Sequence, residues 1–118
     1  VSGTELSLER VVRALVRIGL SERDAEIYIH LAAEGPQKAR NITEALGFSK
    51  GNIYRSLGRL RHLGLVCSSV DRAAEFSAIS FERAIDLCQQ RKKSEADFLE
   101  EQKAQILSKW RSFTVDDS

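Results

Sequence analysis

The sequence predicts a mainly α-helical domain with one small β-hairpin, followed by a single long helix. Three features carry that prediction. Through residue 63, apolar side chains recur at helical spacing and are punctuated by glycines or a Gly-Pro pair. After Gly64 the pattern switches to a β-branched run, Leu65 to Val70, with a second extended stretch close behind it. From Phe81 to Phe113 there is no Gly or Pro, so nothing stops a helix.

The elements follow in order. Leu8, Val11, Val12 and Leu15 stand at i, i+3, i+4, i+7 and predict a first helix from about Ser7 to Ile18, ended by Gly19. Ser21-Glu22-Arg23-Asp24 resembles a capping box, with Asp24 placed where an acid suits the helix dipole. The second helix runs to Glu34 with Ala25, Tyr28, Ile29 and Ala32 on one face, and Gly35-Pro36 stops it. A short third helix, about Lys38 to Leu46, turns Ala39, Ile42 and Leu46 inward and is closed by Gly47. Ser49 caps a fourth helix, so the link between helices three and four is about three residues with a Gly in it. That is the spacing of a helix-turn-helix.

In the fourth helix Ile53, Leu57 and Leu60 form the core stripe. At about 100° per residue the opposite face centres on Gly51, Arg55, Gly58 and His62, flanked by Asn52, Tyr54 and Arg59. Each glycine costs a helix on the order of 1 kcal/mol relative to Ala, less for Gly51 if it lies in the first turn. Leu65 to Val70 then reads as a strand, Asp71-Arg72 as a turn and Ala73 to Ile79 as the return strand, with Phe76 directed to the core. Ser80 caps the last helix. At 33 residues, Phe81 to Phe113, it would be roughly 50 Å long. Ile85, Lys92, Leu99, Ile106 and Phe113 recur every seven, with Cys88, Glu95, Gln102 and Lys109 between them, a heptad seam with polar interruptions. Such a helix exceeds what a core of about 80 residues can cover. Pairing with a second copy resolves this; a helix folded back at Arg91-Lys92-Lys93-Ser94 is the alternative. The expected organisation is a winged helix-turn-helix over 5–80, a dimerisation helix over 81–113 and a disordered tail over 114–118.

Composition sets the class. With 118 residues, 42% hydrophobic and 30% charged, the chain can bury a core without metals or disulfides. Cys67 and Cys88, the two cysteines, lack the close Cys or His spacing of a zinc site. No cofactor is expected. The apolar runs are too short for a bilayer and no secretory pattern opens the sequence, so no membrane partner and a cytoplasmic location are expected. There is no Met, and no structural weight is placed on Val1-Ser2-Gly3.

The net charge of +1 hides a segregation. Residues 37–64 carry Lys38, Arg40, Lys50, Arg55, Arg59 and Arg61 against Glu44 alone, whereas residues 1–36 carry four basic and six acidic side chains. A basic helical pair flanked by more acidic segments is the footprint of a phosphate-binding face. A short basic helix followed by a hairpin can place side chains in a major groove and brace them on the backbone. The expected partner is double-stranded DNA, with residues about 50–63 as the recognition helix. Lys50, Asn52, Tyr54 and Arg55 are expected to face bases or nearby phosphates, Lys38, Arg40, Arg59 and Arg72 the backbone, and Ser49 is counted among the DNA-binding residues. Arg55 and Asn52 are the types that make bidentate contacts to guanine and adenine. The dimer interface is expected to use Ile85, Cys88, Leu99, Gln102, Ile106, Trp110 and Phe113.

Several short strings resemble the TrmB family of archaeal transcriptional regulators. They are Leu20-Ser21-Glu22-Arg23-Asp24-Ala25-Glu26-Ile27-Tyr28, Gly35-Pro36, Ile53-Tyr54-Arg55-Ser56-Leu57 with Leu60, and Gly64-Leu65-Val66, continuing through Phe76, Ile79, Phe81 and Ala84-Ile85. The resemblance covers about Ile18 to Leu87. It implies an archaeal, dimeric winged helix-turn-helix that binds pseudo-palindromic operators. Many relatives also carry a large sugar-binding domain, for which these 118 residues leave no room; this form is expected to lack it, and no effector is specified. The wing departs from the family's basic hairpin: Asp71-Arg72-Ala73-Ala74-Glu75 has one base and two acids, which weakens the expected wing–phosphate contact.

Two other readings compete. One is a winged-helix protein-interaction adaptor of the transcription machinery, since fold alone does not fix function. The other is an enzyme, which is not expected. His30 falls within an apolar helix and His62 on the basic face, and neither has a nucleophile or carboxylate at a telling spacing.

Overall fold

The computed structural model of the chain describes residues 3–70 and 74–116. It contains α1 (Gly3–Arg17), α2 (Glu22–Glu34), β1 (Gln37–Lys38), α3 (Ala39–Leu46), α4 (Lys50–His62), β2 (Val66–Ser68), β3 (Glu75–Ala78) and α5 (Phe81–Asp116). The fold is mainly helical with a small antiparallel sheet and a long carboxy-terminal helix, as the sequence predicts. By internal contacts it divides into two compact units, residues 1–88 and 89–118.

The caps form where the sequence places them. The Ser21 hydroxyl accepts from the Asp24 amide at 3.1 Å, and Ser49 does the same for Asn52 at 3.2 Å. Each satisfies an amide with no partner inside its helix. Between α3 and α4 lie only Gly47, Phe48 and Ser49. Gly47 adopts φ 77°, ψ 6° while its amide donates to the Thr43 carbonyl. This left-handed conformation is open to Gly at little cost and closes α3 abruptly.

The first unit is built around Leu15, Ile27, Tyr28, Leu31, Ile42, Ile53, Leu57, Leu60 and Leu65, all at most 2% exposed. The α4 stripe is therefore fully buried. The α1 stripe is not: Leu15 is sealed, Val11 and Val12 are half-buried, and Leu8 and Val16 are 44% and 41% exposed. Leu8, Val12 and Val16 line an open groove of about 780 Å³ with Ala45 and Leu46.

The sheet has one strand more than the hairpin. Its order is β1-β3-β2, with Val66 opposite Ala78, Cys67 opposite Ser77 and Ser68 opposite Phe76 in the hairpin. Gln37 and Lys38 pair on the far side of β3, opposite Phe76 and Glu75. Lys38, expected as the first residue of the third helix, is thus in a two-residue strand that leads into α3. Two residues are too few to show a period of two, so the pattern carried no signal of β1. Phe76 turns inward and is 6% exposed. The wing tip, Asp71, Arg72 and Ala73, lies outside the described residues, and with it the expected contact of Arg72.

Helix α5 is continuous through Arg91–Ser94, where the alternative reading placed a fold-back, and through Thr114 to Asp116, where a disordered tail was expected. Its first turns belong to the first unit: Ala84 and Cys88 are buried in the core, and Ile85 and Leu87 pack against it. Beyond Cys88 every described side chain is exposed except Gln102, which is half-buried. Among the described residues, no helix is long and apolar enough to cross a membrane, and no group of three or more His, Cys, Asp or Glu is placed to hold a metal.

Candidate nucleic-acid interface

The outward face of α4 follows from its buried one. With Ile53, Ser56, Leu57 and Leu60 inward, the helix presents Lys50, Gly51, Tyr54, Arg55, Gly58, Arg61 and His62, all exposed. Tyr54 is 49% exposed, high for a large aromatic ring in a folded domain. No acid lies anywhere in α4. A flat, basic, acid-free helix surface with one aromatic ring is suited to phosphates and base edges.

Arg55 and Asn52 are brought together. The Arg55 Nη1 donates to the Asn52 Oδ1 at 3.3 Å. The guanidinium folds back over the first turn, where a Cβ added at Gly51 would sit 3.6 Å from Nη2. Helical side chains lean toward the amino terminus, which brings the guanidinium there; 3.6 Å is ordinary van der Waals contact, so a Cβ at position 51 would fit beside it. A Cβ at Gly58 would meet no atom within 4 Å, so nothing within the chain requires a glycine there.

Arg59 has a different role from the one the charge pattern implied. Its Nε and Nη2 donate to the two carboxylate oxygens of Asp24, both at 2.9 Å, and Nη2 also lies 3.2 Å from the Ser56 hydroxyl. From α2, the Arg23 Nε donates to that same hydroxyl at 2.8 Å. Asp24 is 3% and Ser56 0% exposed. Burial by itself raises the Asp24 carboxyl, but hydrogen bonds from Arg59 and Ser56, the Arg59 charge and the Ser21 contact outweigh it and hold the group below the usual carboxylate range. The same bidentate contact pushes Arg59 upward. This clamp fixes α4 against α2. Asp24 was legible only as a capping acid, and Ser56 and Arg23 carried no signal. A helix pairing its third-turn Arg with an acid 35 positions earlier has no local signature.

A second, partly buried polar contact ties α2 to the end of the wing. The Tyr28 hydroxyl donates to the Ile79 carbonyl at 2.6 Å. Burial, with smaller effects from Cys88 and Glu82, pushes its phenol up to about 12. Of the remaining expected contacts, Ser49, Lys50 and Arg40 are exposed, and Lys38 is exposed opposite Glu75. The opposed acid reduces the net charge Lys38 offers to a phosphate.

The expected dimer seam separates into two groups. Cys88 is 6% exposed and sits in the domain's own core, with Ile85 packed against that core. They are not a free surface, because a stripe that caps a core and a stripe that pairs helices obey the same three-four spacing. The other expected apolar residues are open: Leu99 66%, Ile106 62%, Trp110 60% and Phe113 61% exposed. Trp110 and Phe113 stack on each other with ring centroids 5.9 Å apart.

A family model described as "Sugar-specific transcriptional regulator TrmB" matches residues 15–82. No match is found among curated proteins. Among solved structures, the transcriptional regulator Tm0710 from Thermotoga maritima is 19% identical with a TM-score of 0.58, over 92% of this chain and 85% of that one. TrmBL2, described as an archaeal chromatin protein with a novel mode of DNA binding, is 20% identical with a TM-score of 0.65. That match covers 86% of this chain and 41% of TrmBL2, so this chain spans about two-fifths of TrmBL2's length. The multiple antibiotic resistance repressor MarR is 15% identical with a TM-score of 0.56, over 78% of this chain and 71% of that one. At these identities the likeness is one of fold.

Proposed function

The chain belongs to the TrmB family and is a transcriptional regulator of the winged-helix type, and from that premise we propose that it binds specific duplex DNA sequences as a homodimer, with α4 in the major groove. The observation that carries this reading is the outward face of α4. It is exposed apart from half-buried Asn52, free of acid, and holds Arg55 against Asn52 with Tyr54 beside them. Arg55, Asn52 and Tyr54 are the base-reading set, with Ser49 and Lys50 beside them at the helix start. Lys50, Arg40, Arg61 and His62 address phosphates on either side, with Lys38 a weaker contributor. Arg59 acts indirectly, by fixing the helix. Arg72 remains a candidate phosphate contact of the wing tip.

A single three-turn helix reads only a few base pairs. Doubling it over a two-fold axis places two readers about 34 Å apart, one helical turn of DNA. The open apolar strip of α5, Leu99 to Phe113, is the surface assigned to that pairing, without Ile85 and Cys88. The cytoplasm is the compartment in which such a regulator meets DNA.

Selection of bound sites from random duplexes tests the reading. Enriched sites with two half-sites about 10 base pairs apart are expected. Arg55→Ala should then cost about 1–3 kcal/mol at the selected site and relax preference at one position; an equal loss on every sequence would make Arg55 a phosphate contact instead. No binding to any duplex even at low salt removes the DNA reading and leaves α4 as the surface of a protein-interaction adaptor.

A further inference from the structure

The outward face of α4 has two flanks. Taking Arg55 as the outward direction at about 100° per residue, Tyr54 and Arg61 lie roughly 100–120° to one side. Asn52, Arg59 and Ser56 lie roughly 40–100° to the other. A helix is about 10–12 Å across with its side chains, and the major groove is about 12 Å wide. A helix seated there therefore has one phosphate backbone along each flank. On the first flank Arg61 is exposed and makes no ion pair among the described residues. On the second, the cation that α4 itself supplies is Arg59, which Asp24 already neutralises through two bonds of 2.9 Å.

Helix α2 supplies what the second flank lacks. From its first turn Arg23 donates through Nε to the Ser56 hydroxyl at 2.8 Å. That hydroxyl is fully used. It also accepts from Arg59 Nη2 at 3.2 Å and donates its own hydrogen to Asp24, which fills both acceptor positions and the single donor of a serine. Ser56 is 0% exposed, so it anchors the Arg23 side chain at a fixed point beside α4. Arg23 itself is half-buried. Among the described residues its Nη atoms have no hydrogen bond and no acid pairs with it. Two cations thus surround one carboxylate, and Arg59 takes both of its oxygens. The excess positive charge is the Arg23 guanidinium, with its Nε fixed and its Nη pair uncommitted. A guanidinium held in this way is preorganised for the oxygens of a phosphate.

We propose that Arg23 is a phosphate contact of the DNA-bound protein, taking the strand that runs along the Asn52–Arg59 flank of α4. This rests on the DNA reading above and adds to it a contact from outside the basic segment. Arg23 belongs to residues 1–36, where acids outnumber bases six to four, so charge counting along the chain passes over it. Its position comes from Ser56, a buried residue on the recognition helix, which couples the placing of the cation to the placing of the reader.

Arg23→Gln tests the assignment, because the Gln amide nitrogen stands at the same place along the side chain as the arginine Nε. It keeps a donor for Ser56 and removes the charge and the Nη pair. Affinity is measured between about 0.05 and 0.2 M salt, on the selected duplex and on an unrelated one. In Arg23→Gln the slope of log affinity against log salt should fall by about 0.9 for each bound copy of the chain. Near 0.1 M salt the affinity should fall on the order of tenfold per copy, equally on both duplexes. Arg23→Lys keeps the charge and loses the Nε donor; it should keep the slope and lower the urea midpoint instead. An unchanged slope in Arg23→Gln, or an equal fall in Arg23→Lys, overturns the assignment and leaves Arg23 a brace of α2 against α4, with the DNA reading intact. Absence of wild-type binding to either duplex at low salt overturns the DNA reading and this contact with it.

Discussion

Arg59→Ala separates two roles that an arginine on a recognition helix can have. Its guanidinium contacts both oxygens of Asp24 at 2.9 Å, with the Asp24 side chain 5% and the Arg59 side chain 47% exposed. A fully buried pair broken at one partner costs about 3–5 kcal/mol, and an exposed pair about 0–1. One end here is buried and the other half in water, so the expected loss is about 2–3 kcal/mol. In a cycle with Asp24→Ala the coupling should be about 2 kcal/mol. Urea unfolding followed by circular dichroism at pH 7 measures it, at one protein concentration because dimer dissociation also contributes. The pH dependence has a definite sign. The folded Asp24 lies below its usual value, and the unfolded one titrates near 3.9. Its contribution is therefore complete above the unfolded value and is lost as pH falls through the folded one. Arg59→Ala should flatten that acid limb. On DNA, Arg59→Ala should weaken binding without changing the slope of log affinity against log salt, because no phosphate contact is lost. A slope smaller by about 0.9 would make Arg59 a phosphate ligand, and a coupling under about 0.5 kcal/mol would refute the clamp.

Gly58→Ala adds a Cβ that meets nothing within 4 Å, so thermal unfolding should show a gain of about 0.5–1 kcal/mol. If α4 lies against DNA, the same variant should bind its selected duplex at least tenfold more weakly; unchanged affinity would place Gly58 outside the contact. Tyr28→Phe removes the donor to the carbonyl of half-buried Ile79 and should cost about 1–2 kcal/mol in urea, with no change in the salt slope. Truncation after Gln90 leaves the first unit whole and should sediment as a monomer; a truncated chain that stays dimeric assigns the main dimer contact elsewhere.

Much of the fold was legible because local chemistry fixes it. Ser21 and Ser49 cap their helices, Gly47 turns between α3 and α4, and Ile53, Leu57 and Leu60 are buried as their spacing requires. Strand β1 was not legible, since its two residues take their conformation from β3 rather than from their own pattern. The split of the α5 seam was hidden for another reason. Cys88 and Leu99 satisfy one heptad frame, and only the three-dimensional end of the core decides that Cys88 is inside it and Leu99 outside.

The same limit governs the site. Charge counting along residues 37–64 identifies the basic segment but treats its six cations as equivalent. The structure ranks them by what each already holds. Arg59 is bound to a buried carboxylate and Lys38 stands opposite Glu75. Arg55 rests on the side chain of Asn52 through one long, exposed hydrogen bond, which a base edge can replace at little cost. On the proposed DNA reading, affinity is expected from the cations least committed within the chain, because an arginine must give up its internal partner before it can take an external one. The strong internal pair fixes the helix, and the weak one beside it is the part of α4 that the proposed function would exchange for DNA. Strengthening the Arg55 contact with Asn52→Asp would test this order directly. A closer, charge-assisted pair should stabilise the first turn of α4 and weaken DNA binding together, whereas a gain in both would place the recognition function on other residues.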